Sequence, residues 1–422
     1  MATGAGTPKL ETFALPLSPM PQRSRPFYPP KLNRPFVWSL QKIAPWLVRW
    51  QSQVELLISS DPTVPLEMLK SQSCLLVCNH PSFHDPKALF LLSSRLEEPF
   101  YYLTAYEQFK GLQGWFYQRL GAYSIRRGLA DRDSISQTLE LLQQPACKLV
   151  IFPEGGCSFQ NDTVMPFRSG AIQMALQAMV RQVKQGHAVP DLYVIPVSLK
   201  YRYTGRMTPV IRRTLKRLEE KLGLPAKGDL YQRLRLVAEA VLIHCEQETK
   251  LEPAQGQNWN QRILNLKAEI LDRCEARLSL TPTTGEPNRE RVYRILNALN
   301  TKPNIALDNG IDTWDVMFRA VMRVLNFDAI YDGYVAAKPT PERFLDTLIR
   351  LEREVFQIDQ PPAKGHRQAF LRVGAPVNLK DYFAAYKTDR TTTVSELTQQ
   401  IQQTVQNNLD TLAEATARGI SW

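Results

Sequence analysis

SCLLVCNHPSFHDPKALFLLSSRL, residues 73–96, carries a short apolar run into a turn with two histidines and an aspartate, then into a segment of helical spacing. Residues 73–79 read as a strand and 86–96 as a helix. The same alternation continues outward. PFYYLTA (99–105) and GAYSI (121–125) are strand-like, and SISQTLELLQQ (134–144) is helical. KLVIFPEG (148–155) is a buried strand entering a turn, RSGAIQMALQAMVRQV (168–183) a helix, and LYVIPVSLKYR (192–202) a strand. Strands alternating with helices predict an α/β layered fold with a mostly parallel sheet flanked by helices.

At roughly 150 residues per domain, 422 residues suggest two or three units, or one core with a large insertion. A chain that is 44% apolar and 22% charged buries a substantial core, which excludes disorder throughout. No run approaches the ~18 consecutive apolar residues of a membrane-spanning helix, and the first residues do not read as a secretory signal. The six cysteines lie mostly in apolar segments, as expected of reduced thiols in a cytosolic protein. Cys74 and Cys78 lack a second pair at metal-ligand spacing, and His80 and His84 sit in a turn, so no metal site is expected. The net charge of +11 points to an anionic partner.

Residues 1–35 form a proline-rich leader, read as extended or disordered, with nine prolines up to Pro45. Residues 36–64 form an amphipathic helical segment. From Pro45 onward Leu47, Trp50, Val54 and Leu57 follow helical spacing, and Trp46 precedes Trp50 by one turn. Such a stripe either packs on the core or lies in a membrane interface, where indoles favour the headgroup layer and Lys42 and Arg49 would meet lipid phosphates. The α/β core spans 65–205. A helical insertion, 206–365, separates it from a closing segment, 366–422. That segment returns to strand character at 370–379 and ends in a polar helix, 393–417, with a capping box of Thr393 and Glu396.

Four clusters could carry chemistry. His80, at a strand's carboxyl end, lies where ligands bind in α/β folds. Asp85, five residues on, can fold back to fix its tautomer and stabilise the imidazolium, giving a base without a nucleophile of its own. Asp85 before Pro86 also suits a helix N-cap. Ser82 lacks the strained turn of a serine nucleophile. Arg126 and Arg127 follow GAYSI and suit a phosphate or carboxylate. Glu154, Gly155 and Gly156 end another strand, where glycines admit close backbone approach or expose N–H donors. Val194-Ile195-Pro196-Val197-Ser198 is an apolar strand whose proline suggests a bulge or a sheet edge.

In order and spacing NHxxxxD, GAYSIRR, FPEGG and VIPVS resemble the four blocks of the glycerolipid acyltransferases, the family of glycerol-3-phosphate and lysophosphatidic acid acyltransferases. Phe167-Arg168-Ser169-Gly170-Ala171 resembles the basic step after the third block, and 371–383 its closing strand. The likeness covers roughly 70–205 and 367–385. It implies that His80 is the general base for an acceptor hydroxyl attacking an acyl thioester, with Asp85 orienting it. It also implies that Arg127 binds the acceptor phosphate, that Glu154 and Gly155 shape the acceptor site, and that Pro196, with Val194, belongs to the acyl-pocket strand. At position 157 the family usually carries arginine; here it is Cys157. Arg126, Arg168 and Lys87 are the candidate substitutes, or the acceptor carries no phosphate.

The expected activity is a membrane-peripheral O-acyltransferase of phospholipid biosynthesis, moving a fatty acyl group from acyl-CoA or acyl-ACP to a lysophospholipid, foremost 1-acyl-glycerol-3-phosphate. The alternatives are a non-phosphorylated lipid alcohol as acceptor, or a non-catalytic membrane-binding member of the fold. No bound cofactor is expected, the thioester being a co-substrate. The basic run Lys200, Arg202, Arg206, Arg212, Arg213, Lys216 and Arg217 suits an anionic membrane surface or an acyl carrier protein. Nothing resembles a nucleic-acid interface. The expected location is cytoplasmic, at the membrane periphery.

Overall fold

The computed structural model describes residues 26–60, 68–253, 255–282, 285–301, 314–328 and 330–415. Residues 1–25 of the expected leader, 61–64 of the segment after it and 416–417 of the last helix lie outside them.

Eight strands form one sheet: β1 Val54–Ser60, β2 Cys74–Cys78, β3 Tyr101–Ala105, β4 Ala122–Ile125, β5 Lys148–Ile151, β6 Tyr193–Tyr203, β7 Arg367–Val373 and β8 Val377–Asn378. Their order is β1-β7-β6-β2-β5-β3-β4, with β8 also on β6. From β6 to β4 all pairs are parallel; β7 joins β6 antiparallel and β1 pairs parallel with β7. The fold is the expected α/β layered sheet with helices between its strands. β2 is buried on both faces, which is why it reads as a continuous apolar run. Cys74, Leu76 and Cys78 enter one apolar layer, with Val150, Ile195 and Val197. Leu75 and Val77 enter the opposite layer, with Tyr123, Leu149 and Val194.

Between β6 and β7, helices from Thr208–Leu222 to Pro341–Phe356 gather around an apolar core of their own. The insertion is therefore a packed helical body and not a long loop.

Two local expectations are corrected, and of the two alternatives for Pro196 the bulge is the one found. The helical reading of 45–57 fails after Ser52: the helix is Arg34–Ser52, and Val54 and Leu57 belong to β1, paired with Arg367 and Phe370. β1 alternates its burial, and with Leu and Val at such spacing a strand edge mimics one more helical turn. The buried helix face is Val37, Gln41, Ala44, Val48 and Ser52, and Gln41 donates to Ser93 Oγ (3.2 Å) and the Glu98 carbonyl (3.1 Å). The aromatic face stays in solvent. Trp46 and Trp50 are 68% and 69% exposed and stack at 6.0 Å. The last helix starts at Arg390, and Asp389 caps it by accepting from Thr392 N (3.1 Å); Thr393, the expected cap, is buried one turn inside. Pro196 lies inside the sheet and not at its edge. Three residues, 374–376, stand opposite Ile195 and Pro196, between the β7 and β8 pairings. Pro196 O accepts from Gly374 N (2.8 Å), so the missing N–H faces this bulge and no ladder bond is lost.

β6 outruns β2, and two asparagine side chains continue the pairing. Asn79 donates to Leu199 O (2.9 Å) and accepts from Leu199 N (2.8 Å); Asn161 does the same for Tyr201 (2.6 and 2.7 Å). Both amides are buried and replace a neighbouring strand. Asn79→Ala leaves a buried N–H and C=O unpaired and is expected to lower the unfolding free energy by about 3 kcal/mol, read as a lower urea midpoint; an unchanged midpoint would mean that water or a shifted strand takes over both bonds.

Candidate active site

β2 ends at Cys78, and the chain turns across its carboxyl end through Asn79-His80-Pro81. The helix Asp85–Leu96 then begins with Asp85 as its first residue, preceded by His84. Asp85 is therefore not the N-cap; its carboxylate points back into the turn. Oδ2 accepts from His80 Nδ1 (2.6 Å) and from Ser82 N (2.8 Å). Oδ1 accepts from the Tyr201 hydroxyl (2.6 Å). The Asp85 side chain is fully buried and that of His80 is 15% exposed, so the imidazole is held from inside with its edge toward solvent. Nδ1 bound to a carboxylate leaves Nε2 as the position that exchanges protons.

The ring is also fixed on its faces. Phe152 stacks on it at 4.4 Å between centroids. Cys157 Sγ lies 3.4 Å from Nε2 and 3.7 Å from Nδ1, nearly equidistant. That places the sulfur against the ring's face and not along the Nε2 lone pair. Burial first, and Asp85 second, push the Cys157 thiol well above its ordinary value, so it stays protonated. His84 is no rival base. Its Nδ1 meets an Arg367 guanidinium N (2.8 Å), and burial, then Arg367 and Lys87, push it down to about 3.

The loop after β5 brings Glu154 beneath this turn. Its Oε1 accepts from His80 N (3.0 Å), tying the third motif to the first. Oε2 is buried without a hydrogen-bond partner. Burial raises the carboxyl to about 7, opposed by the nearby Arg289. Gly155 has φ +76°, a backbone conformation that favours glycine, and a Cβ there would also displace the Arg168 guanidinium, which packs 2.5 Å from that position.

The arginines are brought around this loop but differ in their engagements. Arg126 is held by Asp131 through two side-chain bonds (3.1 and 2.6 Å), facing its own loop. Arg127 donates to the Tyr293 hydroxyl (2.8 Å) and Gly155 O (3.3 Å), with its guanidinium 4.4 Å over the Tyr293 ring. Arg168 pairs with Glu290 (2.8 Å) and reaches the same ring at 5.3 Å. Lys87 donates to Ser52 Oγ (2.6 Å). Val194 is fully buried in the core layer with Leu75, and Pro196 stands beside Val77 in β2.

The insertion reaches into this loop. Six consecutive loop carbonyls receive its side chains. Arg289 donates to those of Glu154 (3.0 Å), Gly156 (3.0 Å) and Cys157 (3.4 Å), and the Tyr293 hydroxyl to that of Gly155 (2.9 Å). Arg350 donates to those of Ser158 (2.6 Å) and Phe159 (2.7 Å). Asn297 also donates to Arg127 O (2.6 Å). An apolar stripe with interspersed arginines is what any surface helix shows, so these contacts had no sequence signal. Tyr201 was missed for another reason: it sits three residues beyond Ser198, where the fourth motif ends.

An imidazole locked through Nδ1 to a buried carboxylate, with a third motif bonded to its backbone, is the arrangement of a general acid–base site. Residues 63–200 match the model of the family described as Acyltransferase. This stretch is an acyltransferase-family domain, of the family that includes the glycerolipid acyltransferases, and the enzyme class is accordingly that of the acyltransferases. No curated protein gives a significant match. Among the described residues no helix is long and apolar enough to cross a membrane, and no cluster of His, Cys, Asp or Glu could hold a metal ion.

Glu154 supplies a pH test. In the unfolded chain it ionises near 4.5, in the fold at about 7. The fold therefore retains a proton that the unfolded chain has lost, and stability falls as pH rises between these values. Glu154→Gln is expected to flatten that fall, so wild type should lose more thermal stability than the variant between pH 5 and 8. Parallel curves would show that Glu154 ionises normally.

Proposed function

We propose that the protein is an O-acyltransferase that moves a fatty acyl group from acyl-CoA or acyl-ACP to the hydroxyl of a lysophospholipid, with 1-acyl-glycerol-3-phosphate as the favoured acceptor. The observation that carries this reading is the His80–Asp85 pair, with Nδ1 bonded to carboxylate at 2.6 Å and Nε2 left for a substrate proton. Nε2 takes the proton of the acceptor hydroxyl as its oxygen attacks the thioester carbonyl. Collapse of the tetrahedral adduct breaks the C–S bond, and the same proton passes to the departing thiolate. The thioester is already activated, so alignment and proton transfer are the tasks left to the protein. Arg127 and Arg168, stacked on Tyr293 beside the Gly155 turn, are the cations placed to attract an acceptor phosphate. Glu154, Gly155 and Gly156 form the floor of that acceptor site.

One observation favours a second reading, an acceptor without phosphate: Cys157 occupies the position where the family usually carries arginine, and Arg126 is turned to Asp131. Thiol release from acyl-CoA and acyl-ACP with each acceptor decides between them. His80→Ala is expected to reduce turnover by at least about a thousandfold. Turnover with an uncharged lipid alcohol but none with lysophosphatidic acid would overturn the phosphate-acceptor reading. Variant turnover equal to wild type would overturn the general-base role.

Docking on an anionic membrane is part of the proposal. It is supported by the exposed aromatic face of Arg34–Ser52, with Trp38, Trp46 and Trp50, and by Lys42 and Arg49 along the same helix. The exposed Arg212, Arg213, Lys216 and Arg217 of Thr208–Leu222 form a basic helix face, a candidate for the same surface or for acyl carrier protein. Trp46→Ser/Trp50→Ser is expected to weaken sedimentation with phosphatidylglycerol vesicles about tenfold or more; binding equal to wild type would exclude this face.

A further inference from the structure

We propose that Tyr201 is a positioning residue for the acid–base pair, donating from its hydroxyl to Asp85 so that His80, Asp85 and Tyr201 act as one relay. The inference rests on the reading of His80 as the base and extends it to a residue just outside the matched stretch, which ends at 200. The Tyr201 oxygen lies 2.6 Å from Asp85 Oδ1, while Oδ2 meets Ser82 N and His80 Nδ1. Each carboxylate oxygen thus has its own donor, and the carboxylate is fully buried. At that depth, a short bond to an anion is stronger than a neutral one, and an oxygen left without a donor carries a large desolvation cost.

Tyr201 is held for this task from three sides. Asn161 bonds both its backbone N–H and carbonyl (2.7 and 2.6 Å). The Arg367 guanidinium lies 4.7 Å over its ring, and the ring itself is buried on the face of β6 shared with Val197 and Leu199. Burial and the adjacent Asp85 hold the phenol far above its ordinary range, so it remains a donor throughout the working pH range. The relay fixes which carboxylate oxygen faces the imidazole. It also spreads the anionic charge over a third group, which restrains proton transfer from the imidazolium to Asp85.

Removing the hydroxyl concentrates the charge of Asp85 on the His80 side. The imidazolium then becomes easier to form, so the acid limb of kcat/KM should move to higher pH. Several other groups face the pair. Glu154 and Cys157 come from the loop, Cys78 from β2, and Arg289 and Arg353 from the insertion. Arg367 and His84 lie beyond Tyr201. Glu154 titrates in the same range as an imidazole, so its contribution must be removed in the test.

The experiment compares wild type with Tyr201→Phe in two readouts. The first is the pH profile of acyl transfer. Its acid limb is expected about half a unit to one unit higher in the variant, and the plateau on the order of tenfold lower. The second needs no turnover: the chain has five histidines, and carbon-13 labelling lets the His80 ring be followed by NMR, assigned with His80→Gln. In a Glu154→Gln background the His80 midpoint is expected to rise by a similar amount on adding Tyr201→Phe.

Should Tyr201→Phe fail to fold, 3-fluorotyrosine at 201 keeps the packing and is a stronger donor; it should move the midpoint downward. Superimposed profiles and an unmoved His80 midpoint would overturn the relay, because a tyrosine that only fills space is replaced by phenylalanine without moving either. The two failures are distinct. Wild-type turnover in His80→Ala sinks the general-base reading, whereas an unmoved titration in Tyr201→Phe sinks the relay alone.

Discussion

The loop from Glu154 to Phe159 has no regular secondary structure and yet is largely buried, and its backbone carbonyls need donors that no strand or helix supplies. Arg289, Tyr293 and Arg350 supply them, from helices more than 130 residues further along the chain. Much of the site depends on this arrangement. Arg289 anchors the carbonyl of Glu154, whose carboxylate reaches His80 N. Arg289 and Arg350 hold the carbonyls around Cys157, while Ser158 N donates to His80 O (2.8 Å) and ties the same loop to the first motif. Guanidinium suits the task, since one planar fork serves several oxygens at fixed angles. A lysine at 289 would deliver charge without that spread of directions.

A second consequence concerns charge. Arginines that satisfy carbonyls also place positive potential around the loop, and Arg289 is the first counterweight to the burial that raises Glu154. The insertion thus supports the loop mechanically and sets the electrostatics of the carboxyl beneath His80. A body with its own apolar core can do both, because its helices are rigid independently of the sheet they grip.

The parallel core was legible because β2, β5 and β6 are buried on both faces and carry continuous apolar runs, while the helices Arg132–Leu142 and Gly170–Lys184 between them show a clear 3.6-residue period. The pair His80 and Asp85 was legible because five residues of turn bring them together locally. What was hidden has physical reasons. β1 reads as helix because Val54 and Leu57 continue a helical spacing, and only pairing with β7, over 300 residues away, shows otherwise. Asp85 has the sequence of an N-cap, but its carboxylate is drawn away by three donors, one of them Tyr201. Tyr201 and Arg289 could not be read at all: a phenol in a strand and an arginine on a helix acquire roles only through tertiary contact.

The exchange of arginine for cysteine at position 157 can be weighed in these terms. A guanidinium beside the imidazole would oppose its protonation by Coulomb repulsion and would itself be available to an anion. A thiol that burial keeps protonated does neither. It packs against the imidazole as a neutral group. The positive charge around the loop comes from Arg289 on its carbonyls and from Arg127 and Arg168 on the Tyr293 ring. The imidazole is enclosed by buried neighbours, and the cations on the far side of the loop are held by the helical insertion through Tyr293 and Glu290.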